Sequence, residues 1–466
     1  YIAVFLSDGT AVSINVNTKT ITTISSNPGT FYPGDGSLGS PAPQCSQFGQ
    51  GGIVIVATSG PSSYWAWDGV TLTNPGQAAP SWLTNGVATN MPIGVSGTCV
   101  ETYQSRVWVG KGAVIQFSAP SNGADFSVAD GAGAFPSQDS WLRREYAAIR
   151  QSNGFLYLFG DSSVNVITNV QTLTTPIVNT TFNNANVDPQ VGTSWHNGVQ
   201  AFGKGLVFGN NNGVFLLRSS EAQKVSDPLD GIFIGATQQL NSTPVILQPS
   251  SASMTINETV LYMLLIPVKG PFDVSLRQAL VMWDEHDWWI GSQVSSLTFI
   301  NTQEINSILY AWGTDGTNLF PLFTTPSSSL TKTWQTKQWS GEGPHITKQA
   351  MRLFSKAIDN FGGGYTFTGT LDTILENAAP YSQAFTVTSL VYVVTWVNNS
   401  NGVVQWQNNS LGNVNWVVAG ETLTGTGSIA ANSRGNYIGM TVQSMNPDFT
   451  LIGHGLLYQE QSPLGA

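Results

Sequence analysis

Charge is what this chain has least of. Only 9% of its 466 residues are Asp, Glu, Lys or Arg, against about 25% in an ordinary soluble domain. Long helices carrying charged outer faces cannot be built from so little. The 17 Lys and Arg are scattered among 27 Asp and Glu, for a net charge of −10. No basic stripe interleaved with aromatics exists, which excludes tight nucleic-acid binding through phosphates. Two cysteines are too few for a disulfide framework. Cys45 and Cys99 stand shortly before the apolar runs 53–56 and 107–109, in similar places of neighbouring repeats, and read as free buried thiols. The four histidines, His196, His286, His345 and His454, have no metal-ligand spacing. No apolar run reaches about 18 residues, so no transmembrane helix is expected. The chain starts without Met, so a trimmed chain is expected, and its first residues form a strand-like run rather than a charged-then-apolar segment. The Asn-X-Ser/Thr triplets at Asn179, Asn241, Asn257, Asn398 and Asn408 are what chance gives in an Asn-, Ser- and Thr-rich chain.

What the chain has instead is a recurring phrase. An apolar or aromatic run meets a Gly/Asp/Asn turn, and a second apolar run leaves it. The phrase occupies 64–72, 106–117, 155–167, 206–217, 280–290 and 308–320. Each copy is a β-hairpin signal, with β-branched and aromatic residues flanking a turn that favours positive φ. One hairpin cannot bury its apolar face alone, whereas a ring of hairpins can. The turn glycines Gly69, Gly110, Gly160 and Gly209 lie about 40 to 50 residues apart, the length of a four-stranded propeller blade. Two further blade lengths lead to Gly313, with Trp283-Asp284 between. The hairpin at 2–14 is either a further blade or a strand closing the ring. An all-β protein with a propeller of about six blades is expected over residues 1–330.

The composition changes near Pro326-Ser-Ser-Ser329, and residues 331–466 read as a further, β-sandwich-like domain. Segments 365–371 and 385–388, running into 390–396, alternate as half-buried strands do. Residues 399–402 read as a turn into 403–407, and 437–442 with 449–458 as a strand pair. Segment 348–358 has helical propensity, but a Gly-Gly-Gly turn joining it to the strand at Tyr365 favours a strand.

The chemical constellations are sparse. Asp284-Glu285-His286-Asp287 resembles a ligand cluster but stands where the repeat demands a polar turn. Asp8-Gly9, Asp68-Gly69 and Asp315-Gly316 are turn pairs by the same logic, and none matches the repeated box of sialidase-type propellers. No Gly-X-Ser-X-Gly motif appears. Gly362-Gly363-Gly364 lacks the Lys-Ser/Thr of a phosphate loop. Arg143-Arg144, the densest basic spot, reads as a solvated or paired edge. Nothing points to paired carboxylates for glycoside hydrolysis. No catalytic, cofactor-binding or metal-binding residue is assigned, no cofactor is expected, and the chain is expected not to be an enzyme.

Residues 106–120 followed by Asp125-Phe126, the "Gly, apolar strand, Ser-Val-X-Val-Ile" phrase at 154–167, Trp334-Gln335-Thr336-Lys337, and the closing segments 434–444 and 449–451 carry a resemblance. They resemble the tail hub or nozzle proteins of short-tailed bacteriophages, also called DNA-stabilisation or head-completion proteins. That resemblance implies a propeller with extra β domains, assembled as a homo-oligomeric ring, commonly a hexamer. The ring would extend the tail below the portal and adaptor, beside fibre or needle proteins. It would retain packaged DNA and conduct it at ejection without binding it tightly. Localisation would be the virion tail, after assembly in the host bacterial cytoplasm. The residues lining the DNA channel stay unassigned. Two alternatives remain open. One is a receptor-binding or baseplate component, which would favour exposed rim aromatics such as Trp288 and Trp289. The other is a carbohydrate-active propeller enzyme or lectin.

Overall fold

In the computed structural model the described residues are 2–6, 9–26, 42–49, 52–56, 63–75, 79–84, 95–137, 145–175, 178–188, 190–218, 221–229, 233, 249–256, 258–268, 277–291, 297–305 and 308–323, followed by 332–335, 348–359, 366–374, 381–388, 406–407, 413–414, 423–430, 434–435, 437–445 and 449–460. They form two compact units, Tyr1–Leu322 and Phe323–Ala466. The sequence expectation put the break after residue 330.

The first unit is a seven-bladed β-propeller, one blade more than expected. Its first sheet holds β1 (Ile2–Phe5), β2 (Ala11–Ile14) and β3 (Ile21–Ser25). The second holds β4 (Gln44–Phe48), β5 (Gly52–Val56), β6 (Tyr64–Trp67) and β7 (Leu72–Thr73). A short helix α1 (Ser81–Thr84) leads to β8 (Cys99–Tyr103), β9 (Arg106–Lys111), β10 (Val114–Phe117) and β11 (Gly133–Pro136). The fourth sheet is β12 (Tyr146–Ser152), β13 (Phe155–Gly160), β14 (Val164–Leu173) and β15 (Asn179–Asp188). The fifth is β16 (Val199–Phe202), β17 (Gly205–Asn210), β18 (Gly213–Arg218) and β19 (Glu221–Lys224). The sixth is β20 (Ser250–Ile256), β21 (Thr259–Val268), β22 (Arg277–Trp283) and β23 (Trp288–Gly291), and the seventh β24 (Phe299–Ile305), β25 (Ile308–Thr314) and β26 (Leu319–Pro321). All pairings within these sheets are antiparallel. The extra blade is the hairpin at 2–14, which gains β3 and becomes a sheet of its own.

Both faces of each middle sheet are buried, which explains the unbroken apolar runs of the sequence. In β13, Leu156 and Leu158 pack towards the third sheet, while Tyr157 and Phe159 pack towards the fifth. In β17, Leu206 and Phe208 join the layer shared with the fourth sheet, and Val207 the layer shared with the sixth. In β21, Tyr262, Leu264 and Ile266 face the fifth sheet, and Met263 and Leu265 the seventh. Alternation along a strand therefore divides apolar side chains between two interfaces, rather than between core and solvent.

The first strands of consecutive sheets lie together, β4 by β8, β8 by β12, β12 by β16, β16 by β20 and β20 by β24, so these strands line the axis. Their inner edges carry backbone groups that need partners. Side chains of the adjacent sheet supply them. Thr102 N donates to Ser46 Oγ (2.9 Å) and Gln200 Nε2 to Ser251 O (2.8 Å). Ser253 Oγ donates to Ala201 O (2.9 Å), Ser253 N to Thr302 Oγ1 (2.6 Å), and Ile300 N to Ser250 Oγ (3.0 Å).

The repeating glycines need a correction. Gly69 sits in a turn at φ 100°, but Gly110, Gly160, Gly209 and Gly313 lie in second strands and are not at positive φ. Close packing holds three of them. A Cβ at Gly110 would lie 2.5 Å from Cys99 Sγ, at Gly209 2.6 Å from the Trp195 ring, and at Gly313 2.8 Å from Leu297 Cδ2. In each blade the side chain that needs the room stands at or just before the inner strand. The repeat therefore marks a close approach rather than a turn.

Arg106 ties the third sheet to the fourth. It is 1% exposed. Nη1 donates to Ser118 O (2.6 Å) and Gly131 O (2.8 Å), and Nη2 to Thr172 Oγ1 (2.7 Å) and Thr180 Oγ1 (2.8 Å). The guanidinium also lies 5.6 Å from the Phe117 ring centroid. Burial pushes its pKa down to about 10, so the group stays charged at neutral pH.

In the second unit, β27 (Lys332–Gln335), β35 (Tyr437–Ser444), β29 (Thr366–Ile374) and β30 (Tyr381–Thr388) form one sheet in that order. A second sheet centres on β28 (Lys348–Asp359), which pairs with β33 (Leu423–Ala430), β34 (Arg434–Gly435) and β36 (Phe449–Glu460). The strands β31 (Trp406–Gln407) and β32 (Asn413–Val414) pair with each other. Segment 348–358 is thus strand. Segments 437–442 and 449–458, read as a pair, belong to different sheets. The expected strand at 390–396 and turn at 399–402 lie outside the described residues.

Replacing Arg106 by Met would remove one donor from each of two carbonyls and two hydroxyls, of which Gly131 O keeps the Thr180 hydroxyl. The expected loss is about 3 kcal/mol of unfolding free energy. Arg218→Met removes an exposed ion pair to Glu285 (2.7 Å) and should cost at most about 1 kcal/mol. Urea denaturation of both variants beside the parent protein checks the contrast.

Candidate functional site

The propeller axis gathers polar side chains that are far apart in sequence. At the end where the inner strands begin, Gln44 Nε2 donates to Asn197 Oδ1 at 2.7 Å. This bond joins the second sheet to the segment leading into the fifth, so it reaches across the axis. Asn197 O accepts from Ser251 N (2.8 Å) and Ser251 Oγ (2.7 Å) of the sixth sheet. Beside it His196 is buried, with Nδ1 2.9 Å from Ala147 O. A carbonyl only accepts, so Nδ1 carries a proton. That orients Nε2 towards Glu145 Oε1, 3.6 Å away on a half-exposed side chain.

Farther along the inner strands, Glu101 Oε1 accepts from Ser46 Oγ (3.0 Å) and Thr102 N (3.0 Å), while Oε2 lies 4.0 Å from Arg150 Nη1. Two carboxylate groups, one histidine and one arginine therefore line the inner strands of the third and fourth sheets and the start of the fifth. His196 Nε2 faces the Glu145 carboxylate, and the Glu101–Arg150 pair is held by hydrogen bonds to its neighbours.

The residues singled out in the sequence fall elsewhere. The 284–287 cluster is a turn. Asp284 Oδ1 accepts from His286 N (2.9 Å) and Asp287 N (2.8 Å), with Glu285 at φ 85°. Asp68 Oδ1 accepts from Val70 N and Thr71 N, and Asp315 Oδ1 from Thr317 N and Asn318 N. These backbone donors hold the Asp68 and Asp315 carboxyls below the usual range. Among the described residues no group of His, Cys, Asp or Glu is arranged to hold a metal ion. Trp288 stacks on Trp283 at 5.8 Å and donates to Val225 O (2.8 Å), so it belongs to the layer between the fifth and sixth sheets. Trp289 is 38% exposed. His454 lies in β36, opposite Ser355 of β28, whereas Asp8, Arg143, Arg144, His345 and Gly362–Gly364 lie outside the described residues.

Cys45 and Cys99 are free and stand at the starts of β4 and β8, and burial pushes both thiols up to about 12. Sequence reading missed Gln44, Asn197, His196 and Glu101. Gln44, His196 and Asn197 share one signal, a polar residue at or just before the start of an inner strand, which becomes readable only once the blades are aligned; Glu101, in the middle of β8, lacks even that.

No family model matches the chain, and no curated protein matches it in sequence. Among solved structures it is similar to Trypanosoma rangeli sialidase in complex with the inhibitor DANA, at 10% identity and a TM-score of 0.32 over 96% of each chain. It is also similar to Bombyx mori GH32 beta-fructofuranosidase, at 10% identity and a TM-score of 0.23, over 90% of this chain and 91% of that one. The expectation that the chain is not an enzyme is corrected on this finding, because the similar structures are enzymes. Likeness at this level transfers neither an activity nor a residue role to the chain.

The buried Cys99 thiol gives a pH test. An ordinary thiol loses its proton near 9.0, whereas the folded one keeps it to about 12. Between these values the unfolded chain binds fewer protons than the folded one, so stability falls as pH rises. Urea midpoints should hold steady up to about pH 9 and then drop, with a shallower drop in Cys99→Ser. Iodoacetamide at pH 8 should leave Cys99 unlabelled in the native protein and label it after denaturation.

Proposed function

We propose that the chain is a structural subunit of a bacteriophage tail, of the tail hub or nozzle type. In this reading it assembles with copies of itself as a ring, of six subunits, below the portal and adaptor. The ring retains packaged DNA and conducts it at ejection. Beside the sequence resemblance, one structural observation carries the assembly reading: the outer hairpin of the fourth sheet. Strands β14 and β15 are ten residues each, long for blade strands, and Asp188 is their one charged residue. β15 is an edge strand with Thr181 and residues 183–186 exposed. Edge strands of monomeric proteins are usually blunted by Lys, Pro or bulges; β15 has neither Lys nor Pro, and its pairing with β14 shifts register at Val164/Asn165 and Thr168/Gln171. A long edge with a single charge at its end suits pairing between subunits in a closed assembly.

In this reading DNA runs between copies rather than through each propeller, because the Gln44–Asn197 bond crosses the propeller axis. The net charge of −10 suits a channel wall that repels rather than grips DNA. The second unit, read as β-sandwich-like, supplies further ring or neighbour contacts.

The native mass tests the proposal. Analytical ultracentrifugation should give a closed multimer of about six copies, and mass spectrometry should find the chain in purified particles. The double variant Thr181→Lys, Asn183→Lys should dissociate the multimer while leaving circular dichroism unchanged. A monomer at all concentrations, absent from particles, would overturn the reading.

A further inference from the structure

A cavity of about 810 Å³ opens where the inner strands of the second, third and fourth sheets end, away from Gln44 and Asn197. This volume lies in the range of about 300–1,000 Å³ typical of small-molecule sites. Phe48 and Trp82 supply its aromatic surface, and Gln104, Gln151, Ser105 and Ser121 supply exposed amide and hydroxyl groups. None of the described lining residues is charged.

The backbone here is held in an unfavourable form. Gln104, Ser105 and Ser121 have φ of 50°, 56° and 56°, in the left-handed region that residues other than Gly, Asn and Asp seldom adopt. Ser121 N donates to Ser105 O at 2.7 Å, fastening the two loops together. The equivalent turn of the fourth sheet, between β12 and β13, uses Asn153-Gly154 at φ 49° and 81°. That is the residue pair which such a hairpin turn favours. The third sheet places Gln and Ser in the same turn, so their side chains line the cavity at a conformational cost that Asn-Gly would avoid. Strain kept at a concave polar site points to ligand binding.

The chemistry of the wall selects the ligand. Each Gln amide offers one acceptor and two donors, and each Ser hydroxyl can donate or accept. Such groups match adjacent hydroxyls, and an aromatic ring matches an apolar face. A phosphate or carboxylate would need a cation in the wall, and a basic ligand would need an anion. We infer that this cavity binds a neutral saccharide, through Gln104, Ser105, Ser121 and Gln151 with Trp82 and Phe48 as the apolar platform. The site does not depend on the tail-subunit reading.

The test uses the full chain on an array of neutral and acidic oligosaccharides, followed by titration calorimetry with the neutral oligosaccharide that gives the strongest signal. The double variant Gln104→Asn, Ser105→Gly restores the turn pair of the fourth sheet. It should melt no lower than the parent, yet weaken binding of that oligosaccharide at least about tenfold. Gln151→Ala, remote from the turn, should weaken the same binding. The inference is overturned if no neutral oligosaccharide binds at about 10 mM, if acidic ones bind more tightly, or if the double variant binds as the parent does.

Discussion

Every middle sheet of this propeller has two apolar faces, and neither can be left in water. That constraint governs the rest. β13 sends Leu156 and Leu158 one way and Tyr157 and Phe159 the other, so the fourth sheet is incomplete without both neighbours. Among the described residues six separate apolar layers follow, one between each pair of sheets consecutive along the chain. Stability in such an arrangement is shared between neighbours rather than held in one centre. Close packing sets its terms, as the glycines of the second strands show. At Gly110, Gly209 and Gly313 a methyl group would already collide with a neighbouring side chain.

The low charge content has a physical counterpart in the axis. Inner strands expose one edge of backbone donors and acceptors, and water or side chains must satisfy it. Here Ser, Thr and Gln of the adjacent blade do so, as in Ser46 to Thr102 and Thr302 to Ser253. Short neutral hydroxyls suit this better than Lys or Glu, which lose more side-chain freedom and need a charged partner when buried. Arg106 shows the exception. Its charge is buried because four oxygen acceptors from two sheets meet it.

Polar groups left over from this stitching define the places where chemistry or recognition can occur. At one end of the inner strands His196, Glu145, Gln44 and Asn197 converge. At the other, Gln104, Gln151, Ser105 and Ser121 surround an open cavity. On the outside, the long edge of β15 offers main-chain groups to a further strand. These are three different kinds of surface on one scaffold, and a fold of this kind serves many functions without implying one.

The sequence by itself determined the all-β class, the hairpins and their spacing. β-branched and aromatic runs around Gly, Asn and Asp turns are local signals, and local backbone preference decides them. It determined too that Asp68, Asp284 and Asp315 would cap turns, because an Asx side chain reaches the backbone two or three residues on. The number of blades, the true reason for the repeating glycines and the composition of both polar sites came only from the tertiary structure. Those depend on contacts between distant segments. The Gln44–Asn197 bond spans 153 residues, and the cavity joins Phe48 to Gln151. No local pattern encodes such a meeting, because it is the stacking of one blade on the next that brings these residues within reach.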